Sequence, residues 1–135
     1  MKTIDSLLLD LKSSDSRVRD DAALELMDLG NEVAIVPLLD AIARPENVDH
    51  RGTLVYALSA FNCLEHLEVL VDLALTGNYE VSTGAFNIID ESALSEEAVQ
   101  RLGLQLGRYN QYQLPFAHSS EAYEALSELI SGEGA

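Results

Sequence analysis

Three stretches of this chain repeat one helical pattern at intervals of 31 to 32 residues. The copies begin at Val18, His50 and Val81, and each carries small or apolar residues at its fifth, sixth and ninth places. That spacing puts the shared positions on one face of a helix. A second apolar helical stripe precedes each copy. Because such a helix pair buries its apolar faces only against its neighbours, the period predicts a stack of helix pairs, an architecture that indicates binding rather than catalysis.

The second helix of each pair carries a recurring motif. In the first copy it comprises Val18, Arg19, Ala22, Ala23, Leu26, Leu29 and Gly30, and in the second it comprises Arg51, Leu58 and Phe61. These residues resemble the HEAT-repeat family, especially the short HEAT-like form also found in phycobilisome lyases, over about residues 3–92. The resemblance implies a right-handed stack of antiparallel helix pairs that recognises other macromolecules along its inner curve. It also implies that Arg19 and Arg51 form a structural ladder between repeats, with Asp15 or Asp49 as nearby partners.

We therefore expect an all-α fold, namely a single domain over residues 1–131 with a disordered tail at 132–135. The domain is expected to be a short right-handed α-solenoid of about four antiparallel helix pairs. Apolar spacing and capping residues predict helices at residues 3–13, 16–29, 32–43, 48–61, 64–76, 79–91, 95–107 and 119–131. Pro37 predicts a shortened or kinked start of the third helix. The last pair lacks the motif, as a terminal repeat does when its outer face meets water.

Acidic residues dominate the charge of the chain. There are 23 Asp and Glu against 8 Lys and Arg, which gives a formal net charge of -15. No Lys or Arg lies between Arg51 and Arg101, while eight acidic residues fall there. Nucleic acid and anionic membranes are bound by clustered basic residues, so the charge argues against both as partners. The acidic charge instead predicts a protein partner with a basic surface. We expect the chain to bind this partner as a monomer.

The chain shows no signal for export or membrane insertion. Asp5 and Asp10 interrupt the apolar stretch that a signal peptide would need after Lys2. The longest uncharged run, at 52–64, is 13 residues long, whereas a membrane-spanning helix needs about 20. A single cysteine, Cys63, precludes an internal disulfide, which fits a reducing compartment. We expect the protein to be cytoplasmic.

Residues that could support catalysis or bind a metal are sparse. Cys63 and His66 are three apart and could share a helix face, but a zinc site needs three or four protein ligands. We interpret them as a buried cysteine beside a solvated histidine. The aspartates near the ends of the first helices, Asp10, Asp40 and Asp72, could be paired carboxylates for acid-base chemistry, although their position favours turn-stabilising hydrogen bonds. We expect no catalytic residue, no metal and no cofactor.

The exposed side of the second helices is the predicted binding surface, because in the HEAT family it lines the inner curve. The repeat register places an apolar and aromatic strip there with acids at both ends, a pattern typical of an anchor with a charged rim. The predicted protein-binding residues are Asp20, Asp28, Tyr56 as the anchor, Asn87, Asp90 and Glu91, helped by Tyr109 and Tyr112 from the loop at 107–118. Two simpler interpretations stay open. The acids could serve only solubility, and Tyr112 and Phe116 could only pack under the last helix pair.

Together these features predict an acidic protein-binding module without enzymatic activity. Small acidic proteins of this kind resemble bacterial immunity or antitoxin proteins, which implies an inhibitor that covers a basic toxin surface with carboxylates. One alternative is an assembly adaptor or regulatory scaffold, because the same acidic charge would also suit binding to a basic protein in an assembly. Another is a chromophore lyase-like enzyme, suggested by the repeat resemblance alone, and such an enzyme would need a large apolar groove.

Overall fold

Every regular element is helical in residues 2–132, the part of the chain that the computed structural model describes, and no strand is formed there. The eight α-helices of this part are α1 (Ile4–Asp10), α2 (Ser16–Leu29), α3 (Ile35–Ala43), α4 (Gly52–Leu58), α5 (Leu67–Thr76), α6 (Tyr79–Asp90), α7 (Glu96–Leu106) and α8 (Ala117–Ser131). The all-α prediction is confirmed. None of the helices in this range is both long and apolar enough to cross a lipid bilayer.

Short 3-10 turns precede three of the helices. They lie at Glu32–Ala34 before α3, at Pro45–Asn47 before α4 and at Leu64–His66 before α5. The first of them is the shortened start predicted from Pro37, because proline has no amide hydrogen to donate in the first turn. At the far end, Gly132 closes α8 in the left-handed conformation. The rest of the predicted disordered tail, residues 133–135, lies outside the described residues.

The helices form two compact units, Met1–Asn62 and Cys63–Ala135. In the first unit α1 packs on α2, α3 packs on α4, and the second helices α2 and α4 pack on each other. In the second unit α5 packs on α6 and α7 on α8, while α5 contacts α7 and α6 contacts α8. Within each unit, therefore, consecutive helices pair and the second helices of successive pairs are neighbours, which is typical of a helical repeat.

Local chemistry fixes several helix ends, as the sequence predicts. The Thr3 hydroxyl accepts a hydrogen bond from the Ser6 amide (3.1 Å), and the Asp15 carboxylate accepts one from the Arg17 amide (2.9 Å). Gly30 follows α2 with φ 66°, a left-handed conformation that glycine adopts without steric strain. Because these end groups are satisfied by residues visible in the sequence, most predicted boundaries fall within a few residues of the observed ones.

Helix α4 is the exception, since it spans Gly52–Leu58 rather than the predicted residues 48–61. Its start follows Arg51, whose side chain does not cap the helix, and the residues before it form a turn. At its end the Ser59 amide donates to the Tyr56 carbonyl (3.0 Å), a tighter 3-10 pattern that stops the α-helix. The apolar pattern continues beyond both ends, which is why periodicity alone predicted a longer helix.

The ninth place of the repeat is fully buried in all three copies, as the register predicts. Leu26, Leu58 and Ile89 each have 0% of their surface exposed. Ala23 and Ala85, at the sixth and fifth places, are also fully buried. Their small side chains let the helices approach closely, so the predicted core face is the observed one.

The second place of the repeat ties each second helix to the backbone just before it. Arg19 Nη1 donates to the Ser13 carbonyl (2.8 Å), Arg51 Nε donates to the Val48 carbonyl (3.2 Å) and Ser82 Oγ donates to the Ala74 carbonyl (2.6 Å). Arg19 and Ser82 are buried. These bonds do not form the predicted ladder between repeats, because each donor binds a carbonyl of its own helix pair. Asp15 is occupied as the cap of α2, so its carboxylate serves a helix end instead.

Candidate protein-binding site

The predicted binding residues of the first unit, Asp20, Asp28 and Tyr56, lie on its two second helices, α2 and α4. Tyr56 is 58% exposed and Asp28 is exposed, whereas Asp20 is half-buried. Leu24 lies between the two aspartates on α2 and is also exposed. The exposed side of this unit therefore carries an aromatic and an apolar side chain together with carboxylates, which is the composition of an anchor with a charged rim.

The predicted residues Asn87, Asp90 and Glu91 lie together at the C-terminal end of α6, and all three are exposed. The last turn of this helix carries no basic residue. Because the C-terminal end of a helix bears a partial negative charge, an acid there destabilises the helix, typically by about 0.3 to 1 kcal/mol. The fold alone does not favour two adjacent acids at this end.

The second unit carries most of the excess negative charge. It contains twelve acidic residues against two arginines, a formal charge of -10 with histidines neutral. The acids are Glu65, Glu68, Asp72, Glu80, Asp90, Glu91, Glu96, Glu97, Glu121, Glu124, Glu128 and Glu133, and the bases are Arg101 and Arg108. A surface of this charge attracts cationic partners over several ångströms at moderate ionic strength.

One of these two arginines is held by a bidentate ion pair. Arg101 Nε donates to Glu68 Oε2 at 2.8 Å, and Arg101 Nη2 donates to Glu68 Oε1 at 2.6 Å. The hydrogen bonds from Arg101 hold the pKa of Glu68 below its usual value. The pair joins α7 to α5, so the Arg101 charge is largely compensated within the unit.

A second link between the same helices is centred on Asp72. Its Oδ1 accepts hydrogen bonds from Gln105 Nε2 (2.7 Å) and from the Tyr109 hydroxyl (2.5 Å). Burial and the neighbouring Asp72 carboxylate raise the pKa of Tyr109, so this hydroxyl remains a donor in mildly alkaline solution. The turn-stabilising role predicted for Asp72 is therefore wrong. Its carboxylate reaches across to Gln105 of α7 and to Tyr109 in the loop that follows, because α5 packs on α7.

The tyrosines of the loop at 107–118 differ in their surroundings. Tyr109 is half-buried and bound to Asp72, whereas Tyr112 is 86% exposed. Phe116, at the end of this loop, is also exposed. The interpretation that Tyr112 packs under the last helix pair is thus wrong, because most of its ring meets solvent.

An exposed aromatic cluster in the second unit was not predicted. The His118 ring stacks on Phe116, with centroids 5.0 Å apart and planes inclined by 11°, and it meets Tyr79 edge to face at 5.7 Å and 89°. His118 Nε2 lies 2.9 Å from the Gly77 carbonyl oxygen. A carbonyl only accepts, so Nε2 carries the proton. The signal for Tyr79 was present, since it precedes Asn87 by two helical turns on α6, but His118 comes from a segment without periodicity.

Each unit has a concave surface between helices. In the first unit a groove of about 460 Å³ between α1 and α3 is lined by Asp5, Leu8, Leu9, Leu11, Lys12, Pro37, Asp40, Ala41 and Arg44. In the second unit a smaller cavity of about 190 Å³ between α6 and α8 is lined by Tyr79, Ser82, Thr83, Phe86, His118, Glu121, Ala122 and Ala125. The groove mixes both signs of charge, whereas Glu121 brings a carboxylate to the aromatic cavity. Of these two surfaces, the aromatic cavity is the one whose charge favours a cation.

Metal-binding side chains do not gather into groups of three or more anywhere in residues 2–132. Cys63 is buried, and this burial raises the pKa of its thiol to about 11. His66 is half-buried. A thiol with this pKa is almost wholly protonated at neutral pH and is a poor nucleophile.

Thiol labelling tests this description of Cys63. At pH 8 roughly one thiol in a thousand is ionised when the pKa is about 11, so we expect an aromatic disulfide reagent to label the native protein far more slowly than the chain in urea. The urea-treated sample provides the control, because it should release one equivalent of thiolate at once. Fast labelling of the native protein would show that Cys63 is accessible and ionised.

The predicted binding residues thus form two groups. The first unit holds Asp20, Asp28 and Tyr56, and the second holds Asn87, Asp90, Glu91, Tyr109 and Tyr112. No protein-family model, no curated protein and no solved structure matches the chain.

Proposed function

We propose that this protein is a cytoplasmic protein-binding module that recognises a basic protein surface and inhibits a toxin, in the manner of an immunity protein or antitoxin. The observation that carries the proposal is the exposed end of α6, where Asn87, Asp90 and Glu91 lie together in a unit with a formal charge of -10. Such a surface attracts a cationic partner and raises its association rate by about 10 to 1,000-fold at low salt. A toxin that acts on an anionic substrate presents a cationic surface of this kind.

The placement of these acids supports binding over mere solubility. A carboxylate improves solubility at any exposed position, and in the first turn of a helix it also stabilises the fold. Helix α7 has this favourable arrangement, with Glu96 and Glu97 in its first turn. Asp90 and Glu91 occupy the opposite, unfavourable end of α6. Local stability is commonly given up where a surface must perform a function.

Tyr56 supports the same proposal in the first unit. A large aromatic side chain that is more than half exposed gains burial when a partner covers it, and tyrosine is enriched among residues that dominate binding energy. Its neighbouring helix α2 contributes Asp28 at the rim. The HEAT-like assignment is part of this proposal, and the packing of equivalent helices within each unit supports it.

Neutralising the acidic end of α6 tests the proposal through two effects of opposite sign. We expect Asp90→Asn with Glu91→Gln to slow association with the basic partner about tenfold at roughly 50 mM salt, because rim carboxylates act mainly on the association rate. The same change should raise the free energy of unfolding by about 0.5 to 2 kcal/mol, because two acids leave the negative end of a helix. The partner is first captured from extracts of the source cells and identified, after which binding kinetics and urea unfolding are measured.

A matched control removes the same charge from the favourable end of a helix. Glu96→Gln with Glu97→Gln should lower the free energy of unfolding by a similar amount and leave the association rate within about twofold. Glu68 is unsuitable as a control because it binds Arg101. If both double variants slow association equally, the acidity acts as a diffuse field and the end of α6 is not the site. Co-expression with the captured partner then distinguishes a toxin inhibitor from an assembly adaptor. An inhibitor suppresses the toxicity of the partner, whereas an adaptor does not.

A further inference from the structure

We propose that the cavity between α6 and α8 receives an arginine side chain of the basic partner. The inference rests on the proposed function, because it names the partner group that one part of the surface binds. Tyr79, Phe86 and His118 give the cavity aromatic walls, and Glu121 gives it a carboxylate. A guanidinium group suits both features, since its planar cation stacks on aromatic faces while its edge donates hydrogen bonds to a carboxylate.

One aromatic wall of the cavity, the His118 ring, is held in place before any partner arrives. His118 is fixed by three contacts: its stack on Phe116, its edge-to-face contact with Tyr79 and its hydrogen bond to the Gly77 carbonyl. Phe116 therefore acts as a positioning residue behind the ring. A preformed wall loses little conformational freedom on binding, which favours affinity.

Exposure of this cluster distinguishes it from the core. Tyr79 is 68% exposed and Phe116 is exposed as well, although both rings could contribute to stability if they were buried. Aromatic surface that stays exposed and gathered in one place marks a contact surface more often than a packing defect. The cavity of about 190 Å³ behind it suits one side chain rather than a whole helix.

The cavity shares a face of α6 with the acidic end of that helix. Tyr79, Thr83, Asn87 and Asp90 follow one another at spacings of four, four and three residues, which places them on one side of a helix. Tyr79 and Asp90 are eleven residues apart, or about 16 Å along the axis. One basic surface can thus place an arginine in the cavity while its other cations meet Asp90 and Glu91.

A cation fits this cavity better than an anion does. Glu121 lines it, and Glu80 lies in the first turn of α6 beside Tyr79. An anion would meet both carboxylates within a unit of formal charge -10. The Ser82 hydroxyl already donates to the Ala74 carbonyl, so that hydroxyl hydrogen is committed within the fold.

Nuclear magnetic resonance titration of the full chain tests the inference with defined probes. N-acetyl-arginine amide should shift the amide signals around Tyr79, His118 and Glu121, while N-acetyl-citrulline amide, its neutral isostere, should bind at least about tenfold more weakly. The corresponding lysine amide should bind more weakly than arginine. Tyr79→Ala and Glu121→Gln should each weaken arginine binding about fivefold or more, and Tyr79→Phe should retain it, because the ring provides the contact.

One matched variant controls for general effects of charge. Glu124→Gln removes an exposed acid from α8 without touching the cavity. This variant should leave arginine binding within about twofold. Because Tyr79 and Glu121 lie at the surface, their variants should fold normally, which amide spectra without arginine will verify.

Several outcomes would overturn the inference. Citrulline binding as well as arginine would mean that the cavity does not recognise a cation, and shifts confined to other residues would place the site elsewhere. If the captured partner binds in an Asp90- and Glu91-dependent manner while Tyr79→Ala and Glu121→Gln have no effect on it, the proposed function stands and the arginine cavity is wrong. If the cavity binds arginine but no basic partner is captured, the proposed function fails and with it the role assigned to the cavity.

Discussion

We expect Leu26→Ala and Leu58→Ala each to lower the free energy of unfolding by about 2 to 5 kcal/mol. Both side chains are completely buried at the ninth place of the repeat, so truncation removes apolar contacts and leaves a cavity that the neighbouring helices cannot fully close. A domain of this size has a total stability of about 5 to 15 kcal/mol, so either change removes a large part of it. Urea unfolding followed by circular dichroism measures the loss.

Leu24→Ala is the matched control for Leu26→Ala. The two leucines lie on the same helix, two residues apart, so the substitutions change helix propensity equally. Leu24 is exposed, and its truncation should cost well under about 1 kcal/mol. Equal effects of the two substitutions would contradict the assignment of the core face.

The second large effect is expected at Asp72. Asp72→Ala removes the acceptor of both the Gln105 amide and the Tyr109 hydroxyl, and Gln105 is buried. Leaving the buried Gln105 amide without an acceptor, together with the loss of two charge-assisted hydrogen bonds, should lower the free energy of unfolding by about 2 to 4 kcal/mol. Thermal and urea unfolding of the variant check this value.

Asp40→Ala tests whether this loss is specific. Asp40 lies near the end of the first helix of the preceding pair, as Asp72 does in its own, but Asp40 is exposed. Its substitution should change the free energy of unfolding by no more than about 0.5 kcal/mol. Tyr109→Phe removes only one of the two bonds and should have an intermediate effect. If Asp40→Ala and Asp72→Ala were equally destabilising, the link from α5 to α7 would contribute nothing measurable.

Much of the fold was predictable because its determinants are local in sequence. A period of 31 to 32 residues identified the helix pairs, and burial at the ninth place followed from helical geometry alone. Caps such as Asp15 and Gly30 act on amides and carbonyls a few residues away, so their effect is visible in the sequence. Helix α4 shows the limit, since apolar periodicity continues past the residues where the backbone leaves the α conformation.

The remaining features depend on partners distant in sequence. Asp72 and Tyr109 are 37 residues apart, and His118 lies 41 residues from the Gly77 carbonyl that orients its ring. No periodic pattern encodes such pairs, because they arise only after helices from different pairs have packed. Exposure and charge predict the binding residues on α2, α4 and α6, because the repeat register supplies both. The aromatic cavity could not be predicted in this way, since half of its wall comes from α8, where the motif is absent.

Ser82 shows how one repeat can change a residue and keep its role. A serine hydroxyl reaches much less far from the backbone than a guanidinium, so its bond to the Ala74 carbonyl requires α5 and α6 to run close together. The turn between them is equally tight, because a side chain on Gly77 would collide with Val81 and with the Leu73 carbonyl. The third copy thus makes the donor-to-carbonyl link of the second place with a short side chain across closely packed helices.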